Sequence, residues 1–256
     1  MSKPRWEYVY GINPCFEILR GGRRKVHEAF MADNAGDNPR IKKLVRYLGD
    51  KGIVVTPVGR DRLFQLSRST EHQGAVIRCE PYPYVELDDV FTADKILLLD
   101  NVEDPHNVGA ILRSAEIFGF HDILLPLKGV PEIYPSIVKV SAGATEHLRI
   151  VRSGNANAYV KKAKSEGRMI IALDEEGAID LSEAVEKRRG PILLVIGGEG
   201  KSVGQFILMN ADIVAKIPQA GRINSLNASV AAGIAMYAFG LATAKPQTKP
   251  GADHGA

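Results

Sequence analysis

Residues 192–202 read Ile-Leu-Leu-Val-Ile-Gly-Gly-Glu-Gly-Lys-Ser, five unbroken apolar residues running into a glycine-rich turn. A half-exposed strand alternates apolar with polar residues, whereas an unbroken apolar run suits a strand covered on both faces, as in a parallel sheet between helices. Similar runs occupy residues 96–99, 123–125, 169–173 and 213–217, and helix-like segments separate them. Buried strands alternating with helices predict an α/β domain over residues 95–243, built from βα units around a parallel sheet. The last helix pattern covers 229–242, and the Pro/Gly/polar stretch 244–256 predicts a disordered tail.

Upstream the pattern changes. Ile41, Leu44, Val45 and Leu48 fall at i, i+3, i+4 and i+7, the spacing of an amphipathic helix that stops at Gly49, before the strand-like Ile53-Val54-Val55. Asn13-Pro14 reads as a helix N-cap with proline in the first turn, and Gly21-Gly22 closes that helix. These signals predict a small α/β module over residues 1–80. Pro81-Tyr-Pro-Tyr84 and Glu86-Leu-Asp-Asp89 break both periodicities, which places a linker at 81–94.

With 256 residues, 45% of them hydrophobic and 25% charged, the chain has the balance of a globular protein that buries a core. No apolar run approaches the ~20 residues of a membrane span, and no apolar signal core follows the basic start. Cys15 and Cys79 stand in no CxxC or Cys/His cluster. The reading is a cytoplasmic protein without a disulfide framework or a metal site. Its net charge of +3 is unevenly spread, since residues 1–80 carry 15 of the 33 Lys and Arg but 9 of the 30 Asp and Glu. A basic module on a near-neutral body points to a polyanion partner. Arg20, Arg23, Arg24 and Lys25 are its candidate phosphate contacts, although the same run reads equally well as a solvated helix end.

Three loops at strand ends concentrate Gly, Asn, Ser and charge, where open α/β sheets place ligands. In the first, 101–113, Asn107 reads as a cap of the next helix and Arg113 lies six residues on. In the second, Gly200-Lys201-Ser202 resembles the end of a phosphate loop but fails its spacing, because Val195 stands where the first glycine belongs. Its glycines allow close backbone approach of a ligand, with Glu199 held between them. In the third, Ser225 and Asn227 open a helix of small residues. Taken singly, each loop reads equally as helix capping or surface charge. His72 reads as a turn residue, and His106 as structural or exposed.

In their order along the chain, the three loops resemble the motifs of the SpoU branch of the SPOUT methyltransferases. Asp104-Pro-His-Asn107-Val-Gly109 with Arg113 is similar to the first, Gly197-Gly-Glu199-Gly200 to the second, and Ile217-Pro-x-x-Gly221 with Ser225-Leu-Asn227 to the third. Gln219 and Ala228 depart from that pattern, which leads one to expect methionine and valine there. Tyr10-Gly11-Ile-Asn13-Pro14 and His72-Gln73-Gly74 resemble the members with a ribosomal-protein-like RNA-binding domain in front, the 23S rRNA guanosine-2'-O-methyltransferases among them. The resemblance implies a trefoil-knotted domain, a homodimer, and S-adenosylmethionine held by backbone groups of Gly197, Ile217 and Leu226. It implies methyl transfer to a ribose 2'-hydroxyl with Asn107, Arg113, Glu199, Ser225 and Asn227 in the catalytic machinery and no metal. Transfer RNA as substrate, or a non-catalytic RNA-binding or ribosome-assembly role, stand as alternatives.

Overall fold

The computed structural model describes residues 6–33, 38–200, 202–222 and 225–241. The expected tail at 244–256 and Lys201 lie outside them. Two sheets form. In front, β1 (Glu7–Tyr10), β2 (Val26–Ala32), β3 (Val55–Val58) and β4 (Ala75–Cys79) make a four-stranded sheet in the order β1-β4-β2-β3. Its β2/β3 pair is parallel and its other two pairs are antiparallel. Behind it, β5 (Lys95–Asp100), β6 (Asp122–Leu125), β7 (Arg149–Arg152), β8 (Met169–Leu173), β9 (Ile179–Asp180), β10 (Ile192–Gly197) and β11 (Ile213–Lys216) make a seven-stranded sheet in the order β7-β6-β5-β10-β8-β11-β9. Every pairing in it is parallel. The five apolar runs are therefore strands, and Leu97, Leu124, Ile171 and Leu194 are fully buried.

Helix α1 (Ile12–Gly21) begins one residue before Asn13, because Gly11 turns the chain directly out of β1 at φ 98. The Ile12 N–H donates to Gln73 Oε1 at 3.2 Å, and Asn13 Oδ1 accepts from Arg40. Its far end follows the expectation, with Gly22 in the left-handed region and its N–H on the Ile18 carbonyl. Helix α2 (Pro39–Asp50) buries Ile41, Leu44 and Leu48 but leaves Val45 37% exposed. Strand β3 starts two residues later than the apolar triplet, since the Ile53 N–H still closes the helix end on the Leu48 carbonyl at 3.0 Å. Helix α3 (Arg60–Ser67) completes the front domain. The larger sheet is flanked by α4 (Leu87–Val90), α5 (Pro105–Ile117), α6 (Pro135–Val140), α7 (Ala156–Ser165), α8 (Leu181–Glu186), α9 (Gln205–Asn210) and α10 (Ala228–Leu241). Among the described residues no helix is long and apolar enough to cross a membrane, and no group of three His, Cys, Asp or Glu is placed to hold a metal ion.

Two of the four candidate phosphate contacts point inward. The Arg24 side chain is fully buried and pairs with Glu146 at 2.8 Å and Glu7 at 3.1 Å. Burial would depress Arg24, but the Glu146 and Glu7 carboxylates outweigh it and raise its pKa. Arg23 donates to the carbonyls of Leu148 and Pro83, and to the Tyr82 hydroxyl at 3.3 Å. Tyr82 in turn donates to the Leu148 carbonyl at 2.8 Å. The segment after β4 is thus a clamp rather than a free linker, and one apolar cluster runs from Val9, Ile18 and Ile77 through to Leu97, Ile137 and Ile150. Arg23 and Arg24 join the domains, their guanidinium groups bonded within the protein rather than open to RNA, whereas Arg20 and Lys25 are exposed.

Removing one member of a buried ion pair strands the other in a low-dielectric site. Arg24→Ala is expected to destabilise the protein by about 3–5 kcal/mol, read as a lower urea midpoint. Arg24→Met with Glu146→Leu and Glu7→Gln should recover most of that loss, because all three charges of the cluster leave together.

Candidate functional site

The chain runs β5-β6-β7 toward one edge of the large sheet and then returns to build the other half, so β10 is inserted between β5 and β8. Loops that leave β5, β10 and β11 at their C-terminal ends meet above this reversal, the ordinary ligand position of an open α/β sheet. A cleft of about 590 Å³ lies there, within the roughly 300–1,000 Å³ of small-molecule sites. Gly197, Glu199, Ile217, Ser225, Leu226 and Asn227, named from the sequence, all line it.

Asn107 is not the cap of α5. Asp104 takes that place, its Oδ1 accepting the His106 N–H at 2.9 Å with Pro105 in the first turn. Asn107 is instead a buried residue inside the first turn, where its amide serves another purpose. Its Nδ2 donates to Glu199 Oε1 at 3.1 Å, and its Oδ1 accepts from Asn227 Nδ2 at 2.9 Å. Asn227 Nδ2 also donates to Glu199 Oε1 at 2.5 Å, and the Ala228 N–H reaches the same oxygen at 3.4 Å. Asn227 Oδ1 meanwhile accepts the backbone N–H groups of Ser229 and Val230 at 3.0 and 3.3 Å, so this residue does cap α10. One carboxylate oxygen therefore gathers residues from all three loops.

The glycine turn after β10 is packed backbone on backbone. A Cβ on Gly198 would lie 1.8 Å from the Asn101 carbonyl oxygen, and one on Gly197 would lie 2.6 Å from the Val203 nitrogen. Asp100, buried at the end of β5, fastens the far end of this turn by accepting the Gly204 N–H at 2.9 Å. Burial pushes the Asp100 carboxyl above its ordinary range, against the pull of that N–H. No thiol chemistry is at hand: burial pushes Cys79 up to about 12 and raises Cys15 as well.

Arg113 stands apart from the cleft. It is exposed on α5 and makes no hydrogen bond or ion pair among the described residues. Helices α5 and α10 run side by side in the same direction, with the Phe118 and Tyr237 rings 5.6 Å apart at one end and Asn107 bonded to Asn227 at the other. Sequence reasoning missed Asp174 and Glu175, which line the cleft just after β8. Their position at the end of a predicted strand was the available signal.

The SpoU rRNA Methylase family model matches residues 94–237, and the model for RNA 2'-O ribose methyltransferase substrate binding matches residues 8–85. A Bacillus subtilis protein named as a TrmH family tRNA/rRNA methyltransferase, YacO, is 34% identical over 90% of this chain and 94% of its own length. The AdoMet-bound rRNA methyltransferase from Sinorhizobium meliloti shares the fold with a TM-score of 0.76 at 24% identity, covering 92% of this chain and 87% of that one. The A. aeolicus TrmH/SpoU tRNA modifying enzyme aligns with a TM-score of 0.52 at 27% identity, over 58% of this chain and 75% of that one.

The packed turn makes a sharp expectation. Gly198→Ala is expected to destabilise the protein by about 1–3 kcal/mol or to displace the turn, read as a lower melting temperature. Gly49→Ala, in a helix with nothing within 4 Å of the new methyl group, should leave it unchanged or raise it.

Proposed function

The chain belongs to the SpoU rRNA methylase family, and from that premise we propose that it transfers the methyl group of S-adenosylmethionine to a ribose 2'-hydroxyl, that of a guanosine in 23S rRNA. The observation that carries this reading is the joining of Asn107, Glu199 and Asn227 at the mouth of a glycine-walled cleft. The cleft fits the donor. Gly197 and Gly198 leave the wall without side chains where any Cβ would clash, and Ile217 and Leu226 supply apolar surface. Backbone groups of Gly197, Ile217 and Leu226 would hold the donor, with Asp174 and Glu175 as further polar neighbours.

When bound, the donor supplies a methyl group already activated by its sulfonium, so the protein contributes position and electrostatics. Asn227 and Ser225 orient the ribose and the donor from the start of α10. Glu199 serves through Asn107 and Asn227 by fixing the loop, rather than by pairing with Arg113. A guanidinium with a pKa above about 12 is a poor base. Arg113 therefore grips the phosphate beside the target ribose in bidentate fashion and favours the developing alkoxide.

Because Arg113 lies outside the cleft lining of its own subunit, a homodimer is part of this reading. Val230, Ile234 and Tyr237 form an exposed apolar stripe on α10, and Ile117 on α5 is 63% exposed. A second copy covering these helices brings Arg113 of one subunit toward the cleft of the other. The same reading includes a trefoil knot, which the family resemblance implies, and work in the cytoplasm. Front residues of the ribosomal-protein-like type give sequence-independent hold on RNA, with Arg20 and Lys25 as its remaining phosphate contacts. Ribosomal RNA is favoured over transfer RNA because the rRNA relative from Sinorhizobium meliloti aligns with both domains, whereas the tRNA enzyme covers little more than half the chain. The name of the Bacillus relative keeps transfer RNA as the second reading.

Incubation of the protein with labelled S-adenosylmethionine and 23S rRNA or tRNA, followed by nucleoside analysis, is expected to yield 2'-O-methylguanosine from the rRNA. Absence of any 2'-O-methyl product would reduce the protein to an RNA-binding or assembly factor. Arg113→Lys should lower kcat by about 100-fold while donor binding, measured by calorimetry, is retained.

A further inference from the structure

A second cavity of about 530 Å³ opens in the front domain, and the methyl-transfer chemistry does not use it. Its walls come from the end of β2, the start of α2, helix α3 and the turn at 70–74. Asn38, Arg60, Asp61, Phe64, His72 and Gln73 are among its lining residues. Phe64 is 47% exposed while its neighbour Leu63 is fully buried, so α3 is anchored by one side chain and presents an aromatic ring with the next. Arg60 makes no hydrogen bond or ion pair among the described residues and is exposed. His72 Nδ1 accepts the Gly74 N–H at 3.0 Å, which places the ring proton on Nε2. Burial, with the charges of Arg60 and Lys139, lowers the pKa of His72.

The lining chemistry discriminates between ligands. A site for a bare phosphate gains nothing from a carboxylate in its wall, yet Asp61 is there. A nucleobase uses both kinds of group. Its N–H edges donate to a carboxylate, its ring nitrogens and carbonyls accept from amides, and its face stacks on an aromatic ring. Gln73 bonds the Ile12 N–H at 3.2 Å, and Lys139 Nζ lies 2.9 Å from where a Cβ on Gly11 would stand. Lys139 belongs to α6, whose Val140 packs against Gly109 of α5, two residues from Asn107. A line of contacts thus joins the cavity wall to the network at the cleft.

We infer that this cavity holds one unstacked nucleobase of the RNA substrate, with Phe64 against its face, Asp61, Asn38 and Gln73 on its edge, and Arg60 on its phosphate. The inference rests on the RNA methyltransferase reading above. It adds recognition of a base to the sequence-independent hold of the basic run at the far end of α1, where two of four cations are spent on holding the domains together.

The test uses full-length protein and 23S rRNA transcribed in vitro. Phe64→Ala and Arg60→Gln are each expected to raise KM for the RNA about tenfold, with kcat within about twofold and donor affinity unchanged; Phe64→Tyr should restore KM. Wild-type KM in both variants overturns the pocket and leaves the methyl-transfer reading intact. If the wild-type protein yields no methylated product, filter binding of the same transcript decides. An about tenfold loss of binding in Phe64→Ala then sustains the pocket while the transfer reading fails, and unchanged binding overturns the pocket.

Discussion

A single carboxylate oxygen, Oε1 of Glu199, accepts hydrogen bonds from two asparagine side chains and one helix N–H, and these residues belong to three segments far apart in sequence. Glu199 and Asn227 are exposed, so water competes for these bonds and their net stabilisation is small. Their greater effect is geometric. Asn107 is held in the first turn of α5, Asn227 at the cap of α10, and Glu199 in the glycine turn after β10, so two helix starts and a loop are placed relative to one another by donors and acceptors that leave little slack. The cleft beneath them keeps its shape because the same turn is pressed on the backbone at Asn101 and tied to Asp100.

Why these three loops meet is a matter of strand order. Inserting β10 between β5 and β8 brings the ends of β5 and β10 side by side, and β11 stands just beyond β8, two places from β10. No local pattern encodes that order. What the residues do encode is the individual strand, since a run such as Leu-Leu-Val-Ile can be buried on both faces and has no other stable place. Strand β7 escaped the same reasoning because Arg149-Ile-Val-Arg152 offers only two apolar residues, its arginines facing outward or pairing at the sheet edge, as Arg149 does with Asp122 at 2.6 Å. Strand β9 is two residues long and carries no period at all.

Within the site, chemistry was legible and geometry less so. Glu199, Ser225 and Asn227 announced themselves as polar groups in small-residue loops, and all three line the cleft. The role of Asn107 was misread because asparagine before a helix usually caps it. Asp104, three residues earlier and followed by proline, was the stronger cap and left the Asn107 amide free to bond sideways. The basic run at 20–25 misled for a related reason. Charge in sequence reads as charge in water until a partner is known, and the partner of Arg24 lies 122 residues away.

That distant partner changes how the front domain should be regarded. A module on a flexible linker raises the local concentration of RNA but leaves its orientation open. Here the buried Arg24–Glu146 pair, the Arg23 and Tyr82 bonds to Leu148, and a shared apolar cluster join the two sheets. Breaking such a joint leaves buried charge unpaired, so small displacements are resisted more strongly than a surface contact would resist them. A rigid spacing turns the front surface into a ruler. Under the function proposed above, RNA held there would present the nucleotide that reaches the cleft, and shape would contribute selectivity at that point.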